Sequence, residues 1–279
     1  MKKSKLFAVS VICLFSLAWG VSTLADAPDT KPDALQAELL SVAPQLPAYT
    51  ISDRFPIAWE NSNHPERTLW SEYAYSVINQ YFDQLDQAED TPDFCRNYKA
   101  LDRDQKITVW TQIFAGISYW ETGWDPLNRT LEGPDLDEIT GEKPVSEGLL
   151  QLSYADMNNY QDLETGASYC TFTWDKDRIL PVSDIHRSIL NPYNNLYCGI
   201  RIMADSIVSN HSKDGKKRVV YNGYWSTLGA GFHMHNRASD IRRAVQKFPF
   251  CGRAPIISPA DLFLKGINRI QKAIKRGRE

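Results

Sequence analysis

The chain has 279 residues, of which 43% are apolar and 11% aromatic, a composition that supports a folded core and excludes a mainly disordered protein. It contains 31 basic and 34 acidic residues. Without the three lysines among the first 25 residues, 28 basic against 34 acidic residues leave a net charge of about −6. Such a surface does not suit nucleic acid, so we expect no nucleic-acid partner.

The N-terminus has the pattern of a Sec signal peptide. Three lysines among the first five residues precede an apolar run over 6–21, and small residues at 23–27 provide cleavage sites. The sequence therefore predicts a signal peptide over residues 1–25 and a periplasmic or secreted bacterial protein. Since the apolar run is too short for a comfortable membrane span, and no other stretch is as apolar, we predict no transmembrane anchor.

Four cysteines follow the predicted signal peptide, an even number that indicates two disulfides in an exported chain. Three pairings are possible. Proximity along the chain favours Cys170 with Cys198, which leaves Cys95 with Cys251. No pair has Cys-x-x-Cys spacing and the five histidines are scattered, so we expect no metal site and no cofactor.

The hydrophobic pattern predicts mainly helices. Residues 26–50, rich in Pro, Ala and Asp, are predicted to form a flexible N-terminal arm. Helical periodicity then predicts helices over Glu66 to Ala88, Arg103 to Glu121, and Asn191 to Val208, the last after an Asn-Pro start. A further helix is expected to begin near Ser153, a suitable N-cap.

In the C-terminal segment 259–279 apolar residues oppose basic ones, which predicts a basic amphipathic helix. Such a helix either packs on its own domain, the commoner case, or docks on an anionic polymer or a membrane. Strand signals are weak and no internal repeat is present. We therefore predict a monomer with one mainly α domain over residues 51–258 and long loops.

Glu121 stands out because it closes the apolar, aromatic run IFAGISYWETGWDP at residues 113–126. It follows Ile117 by four residues and Phe114 by seven, which places it on the apolar face of the predicted helix. Gly123 predicts the end of that helix. Burial and the negative end of the helix dipole both favour a protonated carboxyl, the form that a general acid for glycosidic bond cleavage needs.

Three further motifs follow Glu121 along the chain. The first is GLLQL at residues 148–152. The second is a helix opening with Pro192, Asn195 and Gly199, and the third is VVYNGYWSTLG at 219–229. Together with ETGWDP, which starts at Glu121, they resemble the catalytic-domain motifs of soluble lytic transglycosylases, a lysozyme-like family that includes goose-type lysozymes. The resemblance covers about residues 100–235.

The resemblance implies a lysozyme-like helical fold and cleavage of the β-1,4 bond between MurNAc and GlcNAc in peptidoglycan. It implies that Glu121 acts first as general acid and then as a base toward the sugar's own C6 hydroxyl, which leaves a 1,6-anhydroMurNAc end. A tyrosine hydroxyl is implied to hydrogen-bond the glutamate or the N-acetyl group. Either Tyr221 or Tyr224 can be placed on this motif, and we prefer Tyr224 as the catalytic-site tyrosine.

Substrate contacts are predicted for a second group of residues: Gln151, Trp124, Tyr221, Glu147 and Trp225. The resemblance implies the role of Gln151, and Trp120, Trp124 and Trp225 are either sugar-stacking surfaces or core residues. Glu147 is either a surface residue or a second carboxylate that activates water, which defines an alternative, a lysozyme-like muramidase. The loop predicted over 123–146 contains further acidic candidates: Glu132, Asp135, Asp137 and Glu138. A peptidoglycan-binding protein without activity is the alternative from a different class.

Overall fold

A computed structural model describes residues 32–162, 164–209, 216–220, 224–229 and 236–252. The predicted signal peptide and the predicted C-terminal helix over 259–279 lie outside these residues. Within the described ranges the protein is mainly helical, as the sequence predicted, and it has one two-stranded antiparallel sheet.

The helices are α1 (Pro32–Ser41), α2 (Arg67–Gln80), α3 (Phe82–Leu85), α4 (Thr91–Phe94), α5 (Arg103–Thr122), α6 (Asp156–Asn159), α7 (Trp174–Asp177), α8 (Pro192–Val208) and α9 (Ala238–Val245). Short 3-10 helices cover Tyr98–Ala100 and Ser226–Leu228, and the strands are β1 (Arg129–Leu131) and β2 (Val145–Glu147).

Helix α5 forms the centre of the fold. Every residue from Ile107 to Ser118 is buried, and the helix packs against α2 and α9. Its start is fixed by a capping box, in which Asp102 accepts from the Gln105 amide at 2.9 Å and the Gln105 side chain accepts from the Asp102 amide. Gly123 ends it with a left-handed φ of 66°. The predicted helix thus agrees with α5 to within one residue.

Helix α2 is shorter than predicted, because the chain turns at Tyr81 and α3 begins at Phe82. Both α2 and α3 pack on α8, whose first turn is capped by Asn191, with its side chain accepting from the Tyr193 amide at 3.0 Å. The expected helix near Ser153 is a single turn, since the Ser153 amide bonds the Asp156 side chain and α6 begins only at Asp156.

The first described residues, predicted as part of a flexible arm, pack on the core instead. Leu39 on α1 is 1% exposed, and its carbonyl accepts from Asn191 Nδ2 at 2.8 Å. The Tyr73 hydroxyl donates to the Pro44 carbonyl at 2.9 Å. Apolar burial and hydrogen bonds to α2 and the α8 cap therefore hold this segment.

The two disulfides are those predicted: Cys95 pairs with Cys251 and Cys170 with Cys198. The first links the end of α4 to the chain after α9, and the second anchors the loop before α7 to α8. Two bonds of this kind fit a chain folded in an oxidising compartment. Among the described residues, no helix is both long and apolar enough to cross a membrane.

Candidate active site

Glu121 lies in the last turn of α5, where the buried part of the helix ends. Its side chain is partly exposed, and Tyr119 and Trp120 beside it are 46% and 36% exposed. The burial expected for Glu121 is therefore only partial, because the run of buried residues in α5 stops at Ser118. Glu121 Oε1 accepts a hydrogen bond of 2.8 Å from the Thr227 hydroxyl, and Thr227 is 3% exposed.

Thr122 links the end of α5 to the GLLQL turn. Its hydroxyl lies 2.9 Å from the Ser118 carbonyl and 3.3 Å from the Leu149 carbonyl, and it shares its proton between them. Gly148 opens the turn with φ 76°, a conformation that favours glycine. The turn closes as Leu152 and Glu147 exchange backbone hydrogen bonds at 3.0 and 2.7 Å. The GLLQL motif is thus fixed next to Glu121.

Gln151 has a left-handed backbone, with φ 50°, and is 9% exposed. Its side-chain nitrogen donates to the Gly148 carbonyl at 3.1 Å and the Asn128 carbonyl at 3.3 Å. No described residue donates to its side-chain oxygen. Non-glycine residues held in this backbone region cluster at functional sites. The side-chain oxygen can accept a hydrogen bond from a ligand.

The motif with Pro192, Asn195 and Gly199 holds the GLLQL turn. Asn195, fully buried on α8, donates from Nδ2 to the carbonyls of Glu147 and Ile189 at 3.1 Å each and accepts from the Leu150 amide at 2.7 Å. A side chain at Gly199 would collide with Leu150. The Asn and Gly of this motif therefore hold the GLLQL turn in place.

Trp225, predicted as a sugar contact, belongs to the core. It is 3% exposed, its ring packs edge-on against Phe114, and its Nε1 donates to the Leu150 carbonyl at 2.9 Å. Its neighbour Tyr224 is partly buried and donates from its hydroxyl to Asp156 Oδ2 at 2.5 Å. Burial and the Asp156 carboxylate raise the pKa of Tyr224 well above its usual value. Tyr221 lies outside the described residues.

Glu147 is neither a surface residue nor free to activate water. It is 1% exposed, and Arg129 Nε and Arg187 Nη1 each donate to its Oε1 at 2.5 Å. Arg187 is itself 2% exposed. Although burial opposes the charged form of Arg187, its contact with Glu147 raises the pKa of the guanidinium above its usual value. Two cations thus hold Glu147 in a buried ion-pair network, an arrangement that suits a structural carboxylate better than the predicted substrate contact.

The acidic residues in the loop between β1 and β2 differ in exposure. Glu132 directly follows β1, is exposed, and its amide donates to the Pro144 carbonyl at 3.0 Å. Asp135 and Glu138 are also exposed. Asp137, in contrast, is 6% exposed and accepts from two backbone amides of its own turn, so it stabilises the loop.

Trp124 borders the site. Its ring lies 4.8 Å from that of Tyr119 between centroids and 5.7 Å from the Arg67 guanidinium, and its Nε1 donates to the Ala115 carbonyl at 2.8 Å. Trp124 is partly exposed with φ 67°. Trp124, Tyr119 and Trp120 together form an aromatic surface next to Glu121. The Arg237 guanidinium stacks on the Trp120 ring, 4.4 Å from its centroid.

The sequence patterns did not reveal Thr227, Asp156 or Arg187. Each acts through a partner more than 35 residues away along the chain, namely Glu121, Tyr224 and Glu147. For Asp156, the one available sequence signal was its place as an acidic residue in the first turn of a helix. In the described part of the chain, no group of three or more His, Cys, Asp or Glu side chains is placed to hold a metal ion.

Among known proteins, the chain has matches to solved structures only. No protein-family model and no curated protein matches the chain. The structure is similar to that of wild-type DslA (Bd0314) from Bdellovibrio, with a TM-score of 0.54 and 24% identity over 71% of this chain and 98% of that one. Two DslA variants, each with one glutamate replaced by glutamine, match with TM-scores of 0.53 and 0.54. The two substituted positions are eleven residues apart.

Proposed function

We propose that this protein cleaves peptidoglycan glycan strands at the β-1,4 bond between MurNAc and GlcNAc, in the periplasm or outside the cell. The observation that carries the proposal is the placement of Glu121. Its partly exposed carboxylate lies at the end of the buried helix α5, is held by Thr227, and adjoins the turn that carries Gln151. The two disulfides support export.

In the proposed reaction Glu121 works alone, as in lytic transglycosylases. Protonated Glu121 gives its proton to the glycosidic oxygen as the bond from that oxygen to MurNAc C1 breaks. The N-acetyl group stabilises the cationic C1. The Glu121 carboxylate then takes the proton of the C6 hydroxyl while O6 bonds to C1, which yields a 1,6-anhydroMurNAc end and regenerates the acid. The engagement of Glu147 by two arginines supports a mechanism that does not use it.

A second candidate is hydrolysis by a muramidase mechanism with Glu132 as the second carboxylate. Glu121 and Glu132 are eleven residues apart, the separation of the two glutamates substituted in the DslA variants. Glu132 is exposed at the end of β1, so it is accessible to water. In this mechanism Glu132 takes a proton from a water molecule while the water oxygen bonds to MurNAc C1. The product is a reducing MurNAc end.

Mass spectrometry of muropeptides released from purified sacculi distinguishes these reactions. Anhydro ends, released equally well by a Glu132→Gln variant, support the lyase mechanism. Reducing ends without anhydro products contradict it, and their loss in Glu132→Gln supports the hydrolase. A protein that binds sacculi but releases nothing contradicts both and supports the non-enzymatic alternative. Glu142→Gln, at an exposed position of the same loop, is the matched control.

A further inference from the structure

Asp156 is a buried acid that contacts Tyr224. It begins α6 and is 4% exposed. Its carboxylate accepts from the Ser153 amide at 2.7 Å and from the Tyr224 hydroxyl at 2.5 Å. The Tyr224 ring is also held edge-on by Tyr160 and Trp225, with centroid distances of 5.5 and 4.7 Å. With the ring fixed, the partner of the hydroxyl decides where its proton points.

A phenol hydroxyl has one proton to donate, whereas an ionised carboxylate can only accept. While Asp156 is ionised, the Tyr224 proton points to Asp156, and the Tyr224 oxygen can only accept from other groups. When Asp156 is protonated, it can donate to the Tyr224 oxygen, and the Tyr224 proton becomes available elsewhere. The charge of Asp156 therefore determines whether Tyr224 acts as donor or acceptor.

We propose that Asp156 is a positioning residue that sets the donor or acceptor character of Tyr224 toward Glu121 and the bound sugar. The inference about the sugar rests on the proposed function. With Asp156 ionised, the Tyr224 oxygen accepts from the N–H of the MurNAc acetamido group. Electron density at the amide carbonyl oxygen then increases, and that oxygen stabilises the cationic C1 more strongly. Protonation of Asp156 removes this arrangement.

The surroundings place this change in an accessible pH range. Burial raises the pKa of Asp156 to about 6, against the opposing hydrogen bonds from Ser153 and Tyr224. In the described part of the chain, Asp137 in the loop between the strands, Glu121 on α5 and Tyr160 after α6 also act on this pair. Asp205 of α8 in turn acts on Tyr160. Asp137 raises the pKa of Asp156 further.

Carbon-13 NMR of the substrate-free full chain tests the pair directly, with Asp Cγ and Tyr Cζ labelled and assigned through Asp156→Asn and Tyr224→Phe. We expect the Tyr224 signal to follow the titration of Asp156, and the Asp156 midpoint to rise in Tyr224→Phe, which lacks the stabilising phenol. A Tyr224 signal that stays flat from about pH 4 to about pH 8, or an unchanged midpoint, would overturn the inference.

The pH profile of muropeptide release tests the consequence. We expect kcat/KM of the parent to fall on the acid side with the Asp156 midpoint, and this inflection to vanish in Asp156→Asn at unchanged folding. In the Tyr224→Phe background, Asp156→Asn should add no further loss, whereas additive losses would make Asp156 merely structural. If the parent releases no muropeptides, the proposed function fails, and the NMR result alone decides the inference.

Discussion

The Thr227 hydroxyl donates a 2.8 Å hydrogen bond to Glu121 Oε1 from a position that is 3% exposed. The carboxylate is therefore held from the buried side. We expect Thr227→Val, which keeps the shape but not the hydroxyl, to lower kcat about tenfold to a hundredfold, the value of one hydrogen bond to a charged group. Thr227→Ser keeps the hydroxyl and should retain most of the activity. Equal rates for Val and Ser variants would contradict a role for this bond.

Replacing Glu147 tests whether this residue is structural. Glu147→Gln leaves the buried guanidinium of Arg187 without its counter-charge, so we expect the free energy of unfolding to fall by about 3–5 kcal/mol. Urea unfolding followed by circular dichroism measures this change. Glu142→Gln, at an exposed position nearby, should change it by less than about 0.5 kcal/mol. An inactive Glu147→Gln variant with parental stability would return Glu147 to the list of catalytic candidates.

Gly148 is required by both its backbone and its surroundings. It has φ 76°, and an added Cβ would lie 2.5 Å from Asn195 Nδ2 and 2.8 Å from the Ile189 carbonyl oxygen. We expect Gly148→Ala to destabilise the protein by about 1–3 kcal/mol and to impair activity, because the turn next to Glu121 shifts. Gly133→Ala meets no atom within 4 Å and serves as the control. Equal melting temperatures for the two variants would show that the turn tolerates a side chain.

Asp156 should make stability depend on pH in a defined direction. Its pKa is raised from 3.8 to about 6 in the folded protein. The folded state therefore binds its proton more tightly than the unfolded state, and the stabilisation present below about pH 4 is lost as the pH rises through 6. The loss amounts to about 3 kcal/mol. We expect Asp156→Asn to remove this component, measured as the difference in unfolding free energy between the two proteins at several pH values. A parallel pH dependence in both proteins would contradict the raised pKa.

The parts of the fold that the sequence predicted are those with local signals. Helix α5 has a capping box at Asp102 and a stop at Gly123, and α8 has Asn191 as its cap, so their bounds could be predicted closely. The break at Tyr81 could not, because it accompanies a tertiary contact in which the Tyr81 hydroxyl lies 3.2 Å from that of Tyr197.

The same distinction applies to the candidate site. The motifs located the region around Glu121, Gln151 and Tyr224, since each is a short local pattern. They did not reveal that Glu147 forms an ion pair with Arg187, 40 residues later along the chain. Nor did they reveal that Asp156 accepts a hydrogen bond from Tyr224, 68 residues later. Whether a carboxylate is catalytic or structural depends on such distant partners, and only the folded chain brings them together.

The most direct test of the central claim compares muropeptide release by Glu121→Gln and by the parent protein. We expect the rate to fall by a factor of about 10² to 10⁴, the usual contribution of general acid–base catalysis, with the melting temperature unchanged. Glu72→Gln, an exposed position on α2, should retain the parental rate. Release by Glu121→Gln at the rate of the parent would contradict the assignment of Glu121 as the acid.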